Sequence, residues 1–127
     1  MSDETPKIVY VFTHGPDMPK RSATPFYLAT AAASMDAEVS IFFTMEGSML
    51  LKKGLAEDLK IPREKGEGAP LATFINQAVS LGVKLYVCQP SLDLSGLTME
   101  DLIDGVELIG GAAFNEMALE ADTVISF

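Results

Sequence analysis

The sequence predicts a single α/β domain built as a three-layer, doubly wound sheet of five parallel strands. Short runs of β-branched and aromatic residues lack polar alternation, which is typical of parallel strands covered on both faces. Segments with apolar residues at helical spacing separate these runs. With 127 residues, 48% of them hydrophobic, the chain fits one domain over residues 1–127.

Five segments carry the buried-strand pattern. They are residues 7–13, 37–43, 83–88, 106–109 and 123–127. Crossovers between parallel strands are nearly always right-handed, so this alternation of strands and helices predicts a flavodoxin-like sheet. The order of the strands stays open at this point.

The intervening segments are predicted as helices and loops. Helices are expected over residues 23–35, 69–81 and 112–121, with a turn at 45–47 leading into a short apolar segment at 48–51. Thr98 opens a capping box with Asp101, followed by a short helix to Asp104. Residues 52–68, rich in charge, glycine and proline, are predicted as an exposed, partly mobile loop, and residues 90–97 as a second loop.

Charge and composition exclude several classes of function. The formal net charge is −9, which would repel nucleic acids and anionic membrane surfaces. The acidic N-terminus does not resemble a secretory signal, and no apolar run approaches the length that spans a bilayer, so we expect a cytoplasmic protein. One cysteine and one histidine cannot form a structural zinc site within one chain, and no metal is expected.

Cys88, the only cysteine, is the first candidate for chemistry. It ends the strand at 83–88, and ligands of open α/β sheets bind at the carboxyl ends of strands, where nearby helix N-termini favour a thiolate. The alternative is a buried, inert cysteine that behaves as a small hydrophobic residue.

The other strand ends supply candidate binding residues, because all carboxyl ends of a parallel sheet lie on one edge. These residues are His14, Gly15, Met45, Glu46, Gly47, Gln89, Gly110 and Gly111. His14 is predicted either to orient an anion or share a proton with the thiol, or to be a solvated loop residue. Gly110 and Gly111 either let backbone N–H groups at a helix start approach an anion, or let the last helix pack tightly on the sheet.

Three further groups of residues, one apolar, one basic and one of serines, are interpreted as follows. Met49, Leu50 and Leu51 belong to the core, line the pocket or contact another subunit. Lys52 and Lys53 are candidates for attracting an anionic ligand or acidic partner. Ser91 and Ser95 follow no nucleophile-elbow pattern and are interpreted as turn residues, and the glycine fingerprints of dinucleotide and phosphate loops are absent.

The chain resembles the DsrE/DsrF-like superfamily of small sulfur-handling proteins over nearly its whole length. The resemblance rests on four segments: residues 8–12, residues 39–47 leading into Leu50 to Lys53, the strand end 85–88, and the tail 118–127. The loop after Cys88 departs from the branch that acts in tRNA thiolation, and some members of the superfamily lack the cysteine.

The resemblance implies a cytoplasmic sulfur carrier or sulfurtransferase-like protein. Cys88 would hold sulfane sulfur as a persulfide or thiosulfonate and pass it between donor and acceptor proteins or small sulfur species, without a cofactor. The family implies a homo-oligomer, a trimer or hexamer, and the mean hydropathy of +0.24 is high for a small monomer. The alternative is a non-catalytic oligomeric scaffold or small-ligand-binding module in which Cys88 is structural. A flavin-binding protein has less support, because no phosphate loop follows the first strand.

Overall fold

The computed structural model describes residues 5–127, which fold around one parallel sheet of five strands. The strands are β1 (Lys7–Phe12), β2 (Glu38–Phe43), β3 (Lys84–Cys88), β4 (Val106–Ile109) and β5 (Thr123–Ser126). Their order in the sheet is β4-β3-β2-β1-β5, and every pair is parallel. All five carboxyl ends therefore lie at one edge, as the sequence predicts.

Six α-helices and two 3₁₀-helices connect the strands. They are α1 (Pro19–Ser22), α2 (Thr24–Ser34), the 3₁₀-helix Met45–Leu51, α3 (Leu55–Asp58), α4 (Leu71–Ser80), α5 (Gln89–Ser95), the 3₁₀-helix Met99–Asp101 and α6 (Gly111–Glu120).

The strand order explains why the two faces of the sheet are covered unequally. From β1 to β4 the chain moves in one direction across the sheet, so right-handed crossovers place the intervening helices on the same face. Only the connection from β4 to β5 runs back, and its helix α6 crosses the opposite face. The core lies under the first group of helices, and no α6 residue is fully buried.

Three phenylalanines form the centre of the core. The rings of Phe12, Phe26 and Phe43 have centroids 5.6 to 5.9 Å apart, and all three side chains are fully buried. They join β1 and β2 to α2. On the opposite face Phe114 of α6 stacks on Phe42 at 4.3 Å, which fixes the position of α6 over the sheet.

The predicted loop over residues 90–97 is wrong, because α5 begins at Gln89, directly after the cysteine strand. Pro90 lies in the first helical turn, where its missing N–H costs no hydrogen bond, so the proline starts this helix. Leu92 is buried and anchors the helix to the core, and Gly96, with a φ of 68°, ends it.

The other differences from the sequence predictions are local. Residues 52–68 contain α3, whose Ala56 is buried, and a bridge between Lys60 and Pro70, so the predicted exposed loop is wrong in part. The turn at 45–47 belongs to the 3₁₀-helix Met45–Leu51. The capping box of Thr98 and Asp101 is confirmed, but its helix ends at Asp101.

Candidate functional site

Cys88 is the last residue of β3, and its thiol is free and partly exposed. Side chains alternate along a strand, and the neighbouring Val87 is fully buried in the core. Cys88 therefore points to the opposite face of the sheet, the one that α6 crosses. Partial exposure agrees with a reactive thiol and not with a fully buried one.

Gly110 and Gly111 lie beside Cys88 at the start of α6. Cys88 pairs with Ile109, the residue before Gly110, across β3 and β4. A Cβ added to either glycine would meet no atom within 4 Å, so tight packing of α6 does not explain them. No side chain caps the N-terminus of α6, so its first backbone N–H groups remain available as donors near the thiol.

The end of β2 lies on the other side of Cys88. Phe43, the last residue of β2, pairs with Val87 on a strand about 4.8 Å away, so Thr44 follows at the level of Cys88. Met45, the next residue, is 61% exposed. Cys88 thus has Gly110 and Gly111 on one flank and Thr44 and Met45 on the other.

Gly15 and Gly47 have a packing role at this edge. A Cβ on Gly15 would lie 2.8 Å from the carbonyl oxygen of Glu46, and a Cβ on Gly47 would lie 2.5 Å from that of Phe12. Both glycines are buried. They allow the loop after β1 and the segment after β2 to pack backbone against backbone.

His14 lies farther from the thiol than the sequence analysis supposed. It follows β1, and β1 is separated from β3 by β2, so about 10 Å lies between the two strand ends. Arg21 Nη1 donates to His14 Nε2 at 3.1 Å, because a guanidinium has no acceptor atom. His14 Nδ1 lies 3.3 Å from Thr13 Oγ1. These contacts fix the ring within the loop after β1, and neither involves Cys88.

Lys52 and Lys53 lie away from the cysteine. They line a surface cleft with Pro16, Leu55, Asp58 and Leu59. Asp101 lies close by, since the Lys53 backbone N–H donates to the Asp101 carbonyl oxygen at 2.8 Å. Asp58 lines the same cleft, and none of the cleft residues belongs to the strand ends that flank Cys88.

Ser91 is a residue of this region that the sequence does not single out. The sequence predicts Ser91 as a turn residue, but it belongs to α5 and is only 2% exposed. Its Oγ accepts a hydrogen bond from the Met45 backbone N–H at 2.6 Å and lies 3.2 Å from Thr44 Oγ1. The role of Ser91 is hidden in the sequence because the pattern of residues 90–97 predicts a loop.

Residues 5–127 contain no cluster of three histidine, cysteine, aspartate or glutamate side chains arranged to hold a metal ion. In the same range, no helix is both long enough and apolar enough to cross a bilayer.

A family model and one characterized relative point to the same family. The model of the DsrE/DsrF-like family matches residues 6–127. The sulfur carrier protein DsrE2 of Allochromatium vinosum is 29% identical over 134 aligned residues, which cover 77% of this chain and 84% of that protein. An uncharacterized protein of Methanopyrus kandleri is 30% identical and is covered over 93% of its length, with 94% of this chain aligned.

A further relative is much longer than this chain. An uncharacterized protein of Methanocaldococcus jannaschii is 28% identical over 85% of this chain, but the match spans only 38% of that relative.

Among solved structures, the ychN protein from E. coli is similar with a TM-score of 0.79 at 22% identity, over 97% of this chain and all of that one. A protein of unknown function from Methanobacterium thermoautotrophicum has a TM-score of 0.65 at 13% identity, over 98% of this chain and all of that one. At these identities the similarity concerns the fold alone.

Proposed function

This chain belongs to the DsrE/DsrF-like family, and from that premise we propose that it is a sulfur carrier that holds sulfane sulfur on Cys88 as a persulfide or thiosulfonate. The family and the similarity to the sulfur carrier DsrE2 support a role in sulfur relay. The observation that carries the finer proposal is the position of Cys88, partly exposed at the end of β3 beside the open start of α6.

The proposed chemistry is thiol exchange at one sulfur atom. The Cys88 thiolate attacks the outer sulfur of a donor persulfide, a new S–S bond forms, and the donor thiolate leaves. With tetrathionate the same attack leaves a thiosulfonate on Cys88 and releases thiosulfate. An acceptor thiolate then attacks the sulfane sulfur bonded to Cys88 Sγ, the Sγ–S bond breaks, and the Cys88 thiolate leaves. Electrons balance within each exchange, so no cofactor is required.

The start of α6 gives this anionic chemistry a physical basis. The thiolate, the persulfide and the thiosulfonate all carry negative charge, in a chain whose formal net charge is already −9. Uncapped N–H groups at a helix N-terminus stabilise an anion. We assign Gly110 and Gly111 to this role, since neither is required by packing or by a left-handed backbone.

Gln89, Met45, Glu46 and the glycines Gly15 and Gly47 complete the proposed binding residues. Gln89 follows the cysteine directly, and Met45 and Glu46 are exposed beside it at the end of β2. Gly15 and Gly47 act indirectly, since they let this segment approach β1. His14, tied to Arg21, is proposed as a support of the loop after β1 and not as a proton partner of Cys88.

The decisive experiment is sulfur loading of the reduced protein. Wild type and Cys88→Ser are incubated separately with thiosulfate, tetrathionate or polysulfide, and intact mass is measured without reductant. A sulfur or thiosulfonate adduct that a reductant removes is expected on wild type alone, because no other thiol exists in the chain. Wild type alkylated beforehand with iodoacetamide is the second control.

The outcomes separate the carrier from the alternative scaffold. A Cys88→Ser variant that loaded as well as wild type would end the carrier proposal. A wild-type thiol that took up no sulfur and also resisted iodoacetamide would support the scaffold with a structural cysteine. Circular dichroism of both proteins checks that the serine variant keeps its fold.

The proposal includes partners. Donor and acceptor are thiol proteins or small sulfur species that reach the carboxyl edge of the sheet, and the chain itself is proposed to be a homo-oligomer in the cytoplasm. The poorly covered α6 face supports self-assembly, because parallel sheets are normally covered on both faces.

A further inference from the structure

We propose that Ser91 is a positioning residue of the Cys88 site: its hydroxyl holds the segment Thr44–Gly47 beside α5 and so keeps Met45 as one wall of the site. We call this segment the β2 turn. This role rests on the proposed function of Cys88, and in it Ser91 acts through Met45.

Ser91 joins two segments that are 46 residues apart in the chain. Its side chain is 2% exposed, and its Oγ accepts from the Met45 N–H at 2.6 Å. The Thr44 hydroxyl, at 3.2 Å, is its second partner. Because Ser91 lies three residues after Cys88, these bonds tie the first turn of α5 to the β2 turn.

Met45 has an unusual backbone conformation that requires such support. Its φ is 52°, in the left-handed region that residues with a side chain rarely adopt. Ser91 binds its N–H, and Ser48 Oγ donates to its carbonyl oxygen at 3.1 Å. The surrounding structure thus fixes a strained residue, an arrangement that is common at functional sites.

The strained residue lies just past the end of β2, the strand next to the one that ends at Cys88. Thr44 directly follows β2, one residue past the Phe43–Val87 pair, and Met45 comes next with 61% of its surface exposed. A methionine sulfur is polarizable and apolar, which suits contact with the uncharged inner sulfur of a donor. The conformation of the β2 turn therefore affects how a donor is held, while the thiol itself lies on β3.

A double-mutant cycle tests this assignment. Ser91→Ala removes the hydroxyl, and Met45→Gly removes the wall while tolerating a positive φ. Tetrathionate loading is followed by mass over a range of concentrations. Each single variant is expected to raise the half-saturating concentration roughly tenfold with little change in the maximal rate, because binding of the donor is lost. The double variant is expected to match either single variant, since both changes remove the same wall.

The control is Ser80→Ala, which removes an exposed hydroxyl that donates to the Gln77 carbonyl oxygen on α4. It is expected to load like wild type. Two results would overturn the proposal: unchanged loading by Ser91→Ala, or effects of the two variants that multiply in the double variant. A purely stabilising Ser91 would lower the melting temperature without this dependence on Met45.

Alkylation by N-ethylmaleimide keeps the test independent of sulfur chemistry. If wild type takes up no sulfur, the carrier proposal fails, but the maleimide rate still reports the wall beside Cys88. The rate of maleimide alkylation is then expected to change by the same factor in Ser91→Ala, in Met45→Gly and in the double variant. Equal maleimide rates in all four proteins would overturn the positioning role by itself.

Discussion

At the residue scale, the glycines of the carboxyl edge divide into two kinds. Gly15 and Gly47 lie where another backbone leaves no room for a Cβ, whereas Gly110 and Gly111 face open space. None of these four has a positive φ, so conformational freedom does not explain them. The first pair serves packing within the chain, and the second pair leaves room beside Cys88.

Alanine substitution should separate these two kinds of glycine. Gly47→Ala forces a Cβ against the Phe12 carbonyl oxygen, which neither backbone can avoid, and is expected to lower the free energy of unfolding by about 2 kcal/mol. Gly111→Ala, at the start of α6, is expected to raise it by about 0.5 kcal/mol, because alanine loses less chain entropy on folding. Urea denaturation of both variants measures the difference, and equal destabilisation would contradict the assignment.

At the element scale, the starts of two helices determine where the proposed binding residues lie. The start of α5 fixes the residues after Cys88, and the start of α6 presents free N–H groups beside it. The 3₁₀-helix Met99–Asp101 is closed by its capping box: Asp101 Oδ2 accepts from the Thr98 N–H at 2.8 Å and from its hydroxyl at 3.2 Å. This cap holds the connection between α5 and β4.

The capping box predicts a pH dependence of stability. The hydrogen bonds from the Thr98 backbone and side chain hold the pKa of Asp101 below its ordinary value of 3.8, with smaller help from Lys52 and Lys53. A lowered pKa in the folded state stabilises the fold above about pH 4, and this contribution is lost as the pH falls through the folded-state value.

We therefore expect Asp101→Asn to melt below wild type at pH 7 and the difference to shrink as the pH falls below about 4. Thermal melts at several pH values measure it. Asp104→Asn is the control, because within residues 5–127 the Asp104 side chain makes no hydrogen bond. A gap between wild type and Asp101→Asn that stayed constant with pH would show that the charge of Asp101 is irrelevant to the cap.

At the scale of the whole molecule, the unequal faces of the sheet are the main feature. The face under α2 and α4 is sealed by the phenylalanine cluster, while α6 alone crosses the other. Every residue of the edge strand β5 is exposed, including Val124 at 45% and Ile125 at 37%, and Leu119 of α6 is 87% exposed. An uncharged, apolar edge strand normally pairs or is covered.

Self-assembly through α6 and β5 is the resulting prediction. Light scattering at micromolar concentration is expected to give the mass of a trimer or hexamer for wild type, and a smaller species for the double variant Val124→Lys with Leu119→Lys. Met35→Lys, which changes a residue 77% exposed at the end of α2, is the matched control and should keep the wild-type mass. A monomeric wild type would refute the assembly.

The position of a site residue along its own strand could be predicted from the sequence, because neighbouring residues fix it. Its distance from residues on other strands could not, because the strand order fixes that distance. The pattern of residues 83–88 placed Cys88 at a strand end, and parallel strands guaranteed that His14, Met45 and Gly110 would share its edge. The sequence could not tell which strand ends are adjacent. The order β4-β3-β2-β1-β5 places Gly110 and Met45 beside Cys88 and moves His14 two strands away.

The sequence by itself determined the α/β class, the five strands and the end of β3, because the spacing of apolar residues records which faces are buried. Only the folded chain shows the strand order, the bond from Met45 to Ser91 and the single helix on the second face. These features depend on contacts between residues far apart in the chain, and such contacts leave no periodic signal in the sequence.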